Sequence, residues 1–312
     1  MPLNNSRSLL ENSVDTDNPA AIPRPANDLR TLESGLDNLQ RIENTDKRWW
    51  RRFVSGVLPP IVFLVGAIFA WQLYVVVVQP RPDLFPGPLD VLGAFTSAWD
   101  AGLIQLSVAT SLERGILGFL IAVAIGTPVG LLLAEVPLVR RAVGPLISGL
   151  QVLPSVAWVP AAILWFGLTD ATVYFVIIMG AAPSIANGLV AGVSQVPPQL
   201  RRVGTVLGAS KTQMATLVVL PAALPGYVAG LKQGWAFSWR SLMAAEIITT
   251  GGTIGFGVGA LLNQSRQLAD LAGVLATILI ILFIGILIEL LFFAPVERYL
   301  LRKRGLLVSS KR

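Results

Sequence analysis

Residues 194–226 read SQVPPQLRRVGTVLGASKTQMATLVVLPAALPG, a polar stretch between two long apolar ones. Pro197-Pro198 can open a helix, because proline is tolerated in a first turn where its missing N–H costs nothing. Leu200, Val203 and Leu207 then recur on one face, with Arg201 and Arg202 beside them. Gly208 fits the position that ends a helix. Ser210 with Gln213 three residues on forms a capping box that starts another. Leu220-Pro221 and Leu224-Pro225-Gly226 are expected to turn the chain back into an apolar layer. The segment is thus a short helix, a glycine joint and a second capped helix. Two readings stand side by side: an interfacial helix on anionic headgroups, and a docking element for a soluble partner.

The flanking sequence supplies the layer. Apolar segments of about 20 residues, enough to cross the hydrocarbon core, are expected at 53–78, 107–134, 142–166, 171–193, 221–248 and 271–294. The fold class that follows is an all-α polytopic membrane protein with about six transmembrane helices. Hydrophobic residues make up 54% of the 312-residue chain and charged residues 13%, against roughly 45–50% and 25% in soluble domains. Several of Trp49, Trp50, Trp71, Trp158 and Trp165 fall near expected interfaces, where aromatic belts form.

Orientation follows from the basic residues. Lys47, Arg48, Arg51, Arg52, Arg140, Arg141, Arg201, Arg202, Lys211, Arg298, Arg302, Lys303, Arg304, Lys311 and Arg312 fall on one side, and only Arg81 and Arg266 on the other. Both termini are therefore expected in the cytoplasm (N-in, C-in), and the net charge of +6 reads as basic cytoplasmic loops rather than a nucleic-acid surface. Residues 1–46 are polar and proline-containing and read as a disordered cytoplasmic tail, without the plan of a signal peptide. The membrane domain is expected over 47–305 with its internal loop at 194–220, followed by a short tail at 306–312.

Composition also excludes chemistry. With no Cys and no His there is no disulfide framework, thiolate site, imidazole metal site or Ser-His-Asp triad. No P-loop occurs. The glycine-rich run Gly251-Gly252, Gly255, Gly257, Gly259 lacks the Lys-Ser/Thr of one and reads as a flexible outer loop or a short re-entrant turn. Gly118, Ala122, Gly126, Gly130 and Ala134 form a stripe of small residues that lets another backbone approach. Pro145, Pro154, Pro160 and Pro183 are expected to break the third and fourth spans.

Here the chain resembles a known family. Gly208, a nine-residue spacer and Val218-Val219-Leu220-Pro221 are similar to the loop motif of permease subunits of ATP-binding-cassette (ABC) importers. Further pieces resemble the branch that imports nitrate, sulfonates, taurine and bicarbonate, most of all its aliphatic sulfonate permeases. They are Thr110-Ser111-Leu112 with Arg114 and Gly118-Phe119, Leu153 to Pro160 with Leu164 to Gly167, and Ala244-Ala245-Glu246. The resemblance covers roughly 55–305 and implies a type I importer permease (MetI-like) fold. It implies two permease chains (a homodimer), two ABC ATPase subunits that bind ATP and Mg, and an extracytoplasmic substrate-binding protein, which the outer glycine-rich run is placed to contact. The coupling helix would be drawn from Gln199, Leu200, Arg201, Arg202, Val203, Gly204, Leu207, Gly208, Ala209 and Ser210. The family pattern has Glu-Ala-Ala where this chain has Arg202-Val203-Gly204, which reverses a charge. A self-sufficient carrier would show repeats or midplane carboxylates, and a membrane enzyme would need a His, Cys or paired-carboxylate site at depth; neither pattern occurs.

Ionisable residues at membrane depth are costly and mark function by default. Lys232 is expected to snorkel, Glu289 to pair with Arg298 and the basic tail, and Glu113 and Arg114 to lie near the outer interface. Arg240 sits near the middle of its span, where a guanidinium costs at least ~2.5–3.5 kcal/mol. Glu246, six residues on, lies about 120° around the helix and is a poor partner. One expectation is that Arg240 lines a pathway for an anion, with Ser238, Ser241, Trp235, Trp239 and Glu246; its fork suits sulfonate, nitrate or bicarbonate. The other is an ion pair with Glu113 or with Glu246 of a second chain.

Overall fold

The computed structural model describes residues 58–81, 83–251 and 254–304. The expected tails over 1–46 and 306–312 lie outside the described residues, as do Trp49, Trp50 and the basic cluster before the first span. The chain divides into two units, Met1–Phe69 and Ala70–Arg312. The first contributes the leading half of α1 (Leu58–Val78); everything below belongs to the second. The described residues are helical and contain no strand.

Four more long apolar helices follow α1. They are α3 (Leu103–Glu135), α6 (Asp170–Ser194), α8 (Lys211–Ile248) and α10 (Leu271–Lys303). Shorter elements are α2 (Pro88–Asp100), α4 (Pro137–Val152), α5 (Val159–Phe166), α7 (Pro198–Val206) and α9 (Val258–Gln267). The expected break in the third span is present, at Pro154. α4 and the segment Ser155–Phe166, whose last part is α5, meet at 99°, so this crossing is a broken one. Proline disfavours the α region for its predecessor, and Leu153 is extended (φ −67°, ψ 126°) before Pro154.

Of the other expected breaks, Pro145 and Pro183 lie inside continuous helices and Pro160 sits in a first turn. The expected turn at Leu220-Pro221 and Leu224-Pro225 is corrected as well: α8 runs unbroken from Lys211, with a π-helical turn at Met214–Val219 ahead of the prolines. Pro225 has no N–H to give to the carbonyl of Pro221, four residues back. Arg304, at the end of α10, donates to that carbonyl and, at 3.3 Å, to that of Ala222. A distant side chain thus satisfies the backbone group that the proline frees.

The core is α6 held between α3 and α8. Lipid gives helices no hydrophobic reason to associate, so close approach of small residues takes over. The expected stripe on α3 does this. A Cβ on Gly126 would lie 2.8 Å from the carbonyl oxygen of Ala182, and one on Gly130 2.9 Å from that of Ala186. On the opposite side of α6, Gly188 meets Gly230 and Gly192 meets Gly226 of α8, backbone against backbone. Ile177, Ile185 and Leu189 of α6 fill the space between.

Candidate functional site: an exposed loop helix and a charged span

α7 is built from its ends inward. Its C-terminus closes in a Schellman motif: the Ala209 N–H reaches the Gly204 carbonyl and the Gly208 N–H that of Thr205, both at 3.0 Å. That geometry needs a left-handed residue, supplied by Gly208 at φ +75°. The capping box is present: Gln213 N–H donates to Ser210 Oγ at 3.3 Å, and Ser210 N–H to Gln213 Oε1 at 2.9 Å. Both joints were legible in the sequence.

Gly204 is the one buried residue of α7. A Cβ there would lie 2.6 Å from Met214 Cε and 2.9 Å from Met214 Sδ. The departure from Glu-Ala-Ala therefore has a packing reason at its last position: the missing methyl makes room for a methionine tip from α8. The rest of α7 faces outward. Leu200, Val203, Val206 (87% exposed) and Leu207 (79%) form an apolar surface, while Gln199, Arg201 and Arg202 are exposed beside it. Of the remaining residues expected in coupling, Gly208 and Ser210 are exposed and Ala209 is half-buried in the joint.

In α8 the structure separates residues that the sequence put together. Trp235, Ser238, Trp239, Ser241 and Glu246 are buried toward the core, and Arg240 is exposed on the opposite face. Trp235 stacks on Trp239 and meets Phe119 edge-on. Ser241 Oγ donates to Ser155 Oγ at 2.7 Å, fixing the turn after the break at Pro154. Ser238 Oγ and Trp239 Nε1 are buried with no hydrogen-bond partner among the described residues.

Arg240 Nε donates to the Ala236 carbonyl at 3.2 Å, and its guanidinium carbon lies 4.9 Å from the Phe237 ring centroid. Among the described residues no carboxylate lies within 4.0 Å of it. Gln233 is exposed seven residues earlier, two turns away and within about 20° of the same face. Ala229 is also exposed on that face, and Ala236 and Ala244 are half-buried. The bare flank of α10 differs, carrying Ile278, Leu279, Leu282, Phe283 and Ile286.

Glu246 belongs to another construction. Its carboxylate accepts from Ser111 Oγ (2.7 and 2.9 Å), from Arg114 Nη1 (3.2 Å) and from the Gly259 N–H (3.0 Å). Arg114 also donates to the Gly255 carbonyl at 3.0 Å and pairs with Asp170 at 2.8 Å. Ser111 Oγ accepts from the Val258 N–H at 2.8 Å. Side chains of α3 and α8 thereby take the first two N–H groups of α9, which helix geometry leaves unpaired. Glu246 is 1% exposed and Arg114 4%. Arg114 thus sits beside the segments expected on the outer side, buried in a network rather than exposed, and Glu246 is already engaged within its own chain. Sequence reasoning missed this partnership, although opposite charges near the same end of antiparallel spans are the signal that finds it.

At the basic end, Lys232 does not snorkel alone. Its Nζ lies 2.5 Å from Glu289 and 3.6 Å from Glu297, so Lys232 rather than Arg298 is the partner of Glu289. A cavity of about 490 Å³ between α2, α9 and α10 carries Asp90 and Asp270 in its wall. Both carboxylates are occupied in capping, Asp90 on Gly87 and Asp270 on Gly273.

Residues 126–298 match the family described as binding-protein-dependent transport system inner membrane component. Among relatives, the chain is 31% identical over 265 residues to the bicarbonate transport system permease protein CmpB of Synechococcus elongatus, covering 81% of this chain and 92% of that one. It is 31% identical over 235 residues to the taurine transport system permease protein TauC of Escherichia coli, covering 75% and 84%. A chain of the inward-facing MetNI methionine ABC transporter shares the fold at a TM-score of 0.54 and 21% identity, over 64% of this chain and 96% of that one. The chain belongs to the inner-membrane components of binding-protein-dependent transport systems, as the multi-pass permease subunit of an ABC importer and not itself an enzyme.

Proposed function

We propose that this permease carries a small oxyanion, an aliphatic sulfonate such as taurine, along a path lined by the Gln233–Arg240 face of α8. The observation that carries the reading is an exposed cation, with no carboxylate partner among the described residues, on a stripe of small and polar residues. A lipid-facing surface would instead look like α10. The guanidinium fork presents paired donors to an oxyanion. Trp235, Ser238, Trp239, Ser241 and Glu246 back this face from the core and set its position. Two copies of the chain form the permease, with the stripes of both turned toward the path. α7 seats on an ATPase subunit, which holds ATP and Mg, and a binding protein delivers substrate at the opposite end.

Uptake by an Arg240→Gln variant that still assembles with its ATPase tests the path. A fall of about tenfold or more is expected, and normal uptake removes Arg240 from it. Bicarbonate is the second reading, favoured by the CmpB likeness; nitrate and a thiamine precursor share the machinery. The ligand of the cognate binding protein separates these substrates.

A further inference from the structure

α7 carries a charge pattern that says something about the surface it meets. Its own chain touches it on the Gly204 side, where Met214 fills the notch. At 100° per residue, the pole opposite Gly204 holds Arg202 and Val206, about 40° apart. Leu200, Val203 and Leu207 occupy one flank; Arg201 and Thr205 occupy the other. Cation and aliphatic side chain thus leave the helix in the same direction, rather than on opposite faces as on a helix lying in a headgroup layer.

The positive charge is also uncompensated within the loop. Arg201, Arg202 and Lys211 are all exposed. No acidic residue occurs between Asp170 and Glu246, and among the described residues none of the three cations has a carboxylate within 4.0 Å. A surface that buried α7 without opposing charge would strand a guanidinium out of water, which is strongly unfavourable.

We infer that the ATPase groove receiving α7 is an apolar trough rimmed by carboxylates, one of which faces Arg202. This rests on the docking role proposed above for α7. The groove supplies an aliphatic floor to Val203, Val206 and Leu207 and an acidic wall to Arg201 and Arg202. Opposing charge on the two surfaces sets partner choice as well as strength.

Co-purification of the full permease with its own ATPase tests this, with the melting temperature of each permease variant as the folding control. Arg202→Glu is expected to lower the ATPase retained at least about tenfold without lowering the melting temperature. Changing one groove carboxylate of the ATPase to Lys is expected to restore it. Val206→Asp reports on docking itself. If Val206→Asp abolishes the complex while Arg202→Glu leaves it intact, α7 docks through apolar contacts and the acidic groove is overturned. If neither change weakens the complex, the docking role falls with it. If Arg202→Glu loses only binding to anionic vesicles, the cations serve lipid headgroups and the inference is equally overturned.

Discussion

α7 and α9 are two short helices at opposite ends of the spans, and both close in the same Schellman geometry. In α9 the Asp270 N–H reaches the Ser265 carbonyl at 2.9 Å and the Ala269 N–H that of Arg266 at 3.1 Å. Their settings differ. α9 buries Val258, Gly259, Leu261, Asn263 and Ser265 and has its N-terminus gripped by Ser111 and Glu246. α7 buries Gly204 alone and leaves its aliphatic side chains bare. The chain thus anchors one helix by its own side chains and presents the other. An anchored helix is finished by folding; a presented one, on the docking role proposed above, is finished by a partner.

The largest loss is expected at the buried charge that anchors α9. Glu246→Ala removes the acceptor that Ser111, Arg114 and Gly259 share, while Arg114 keeps Asp170. A loss of roughly 3 kcal/mol is expected, read as a lower melting temperature of the purified chain. Gly257→Ala acts on the same joint, since a Cβ there would meet the Glu246 carboxylate. About 1–3 kcal/mol should be lost by overpacking, and the Glu246→Ala background should relieve most of it. On the presented side, Ser210→Ala removes a cap and costs about 1 kcal/mol, with ATPase retention falling by more than the melting temperature explains.

The smallest effect is a gain. Ala269 occupies the left-handed position of the α9 motif at φ +57°, where α7 uses Gly208. Ala269→Gly should stabilise by up to about 1 kcal/mol, whereas Gly208→Ala should destabilise by a similar amount. Opposite signs at equivalent positions would sharpen the likeness of the two motifs. Equal signs would show that their surroundings, not their backbones, decide.

What the sequence made legible was local. Pro197-Pro198, Gly208 and the Ser210–Gln213 pair fix α7 and the start of α8 within a few residues of chain. The four-residue spacing from Gly118 to Ala134 marked a close-packed face without naming its partner. The misread features depend on distant residues. Pro225 continues a helix because Arg304 reaches back to the carbonyl it frees, whereas Pro154 interrupts one; the local pattern of the two prolines does not announce the difference. Arg114 and Glu246 lie 132 residues apart, and only the antiparallel course of α3 and α8 brings them together. Arg240 could be singled out by its cost, but the face it occupies depends on the packing of α6 against α8.

The chain has no native cysteine, which makes the presented helix directly measurable. A single Val206→Cys can be labelled with a membrane-impermeant maleimide in inside-out vesicles, with and without the bound ATPase. Rapid labelling of the permease alone and protection in the complex are the predicted result. Equal labelling in both states, with the ATPase shown to be bound, would contradict the account of α7 as the helix presented to its partner.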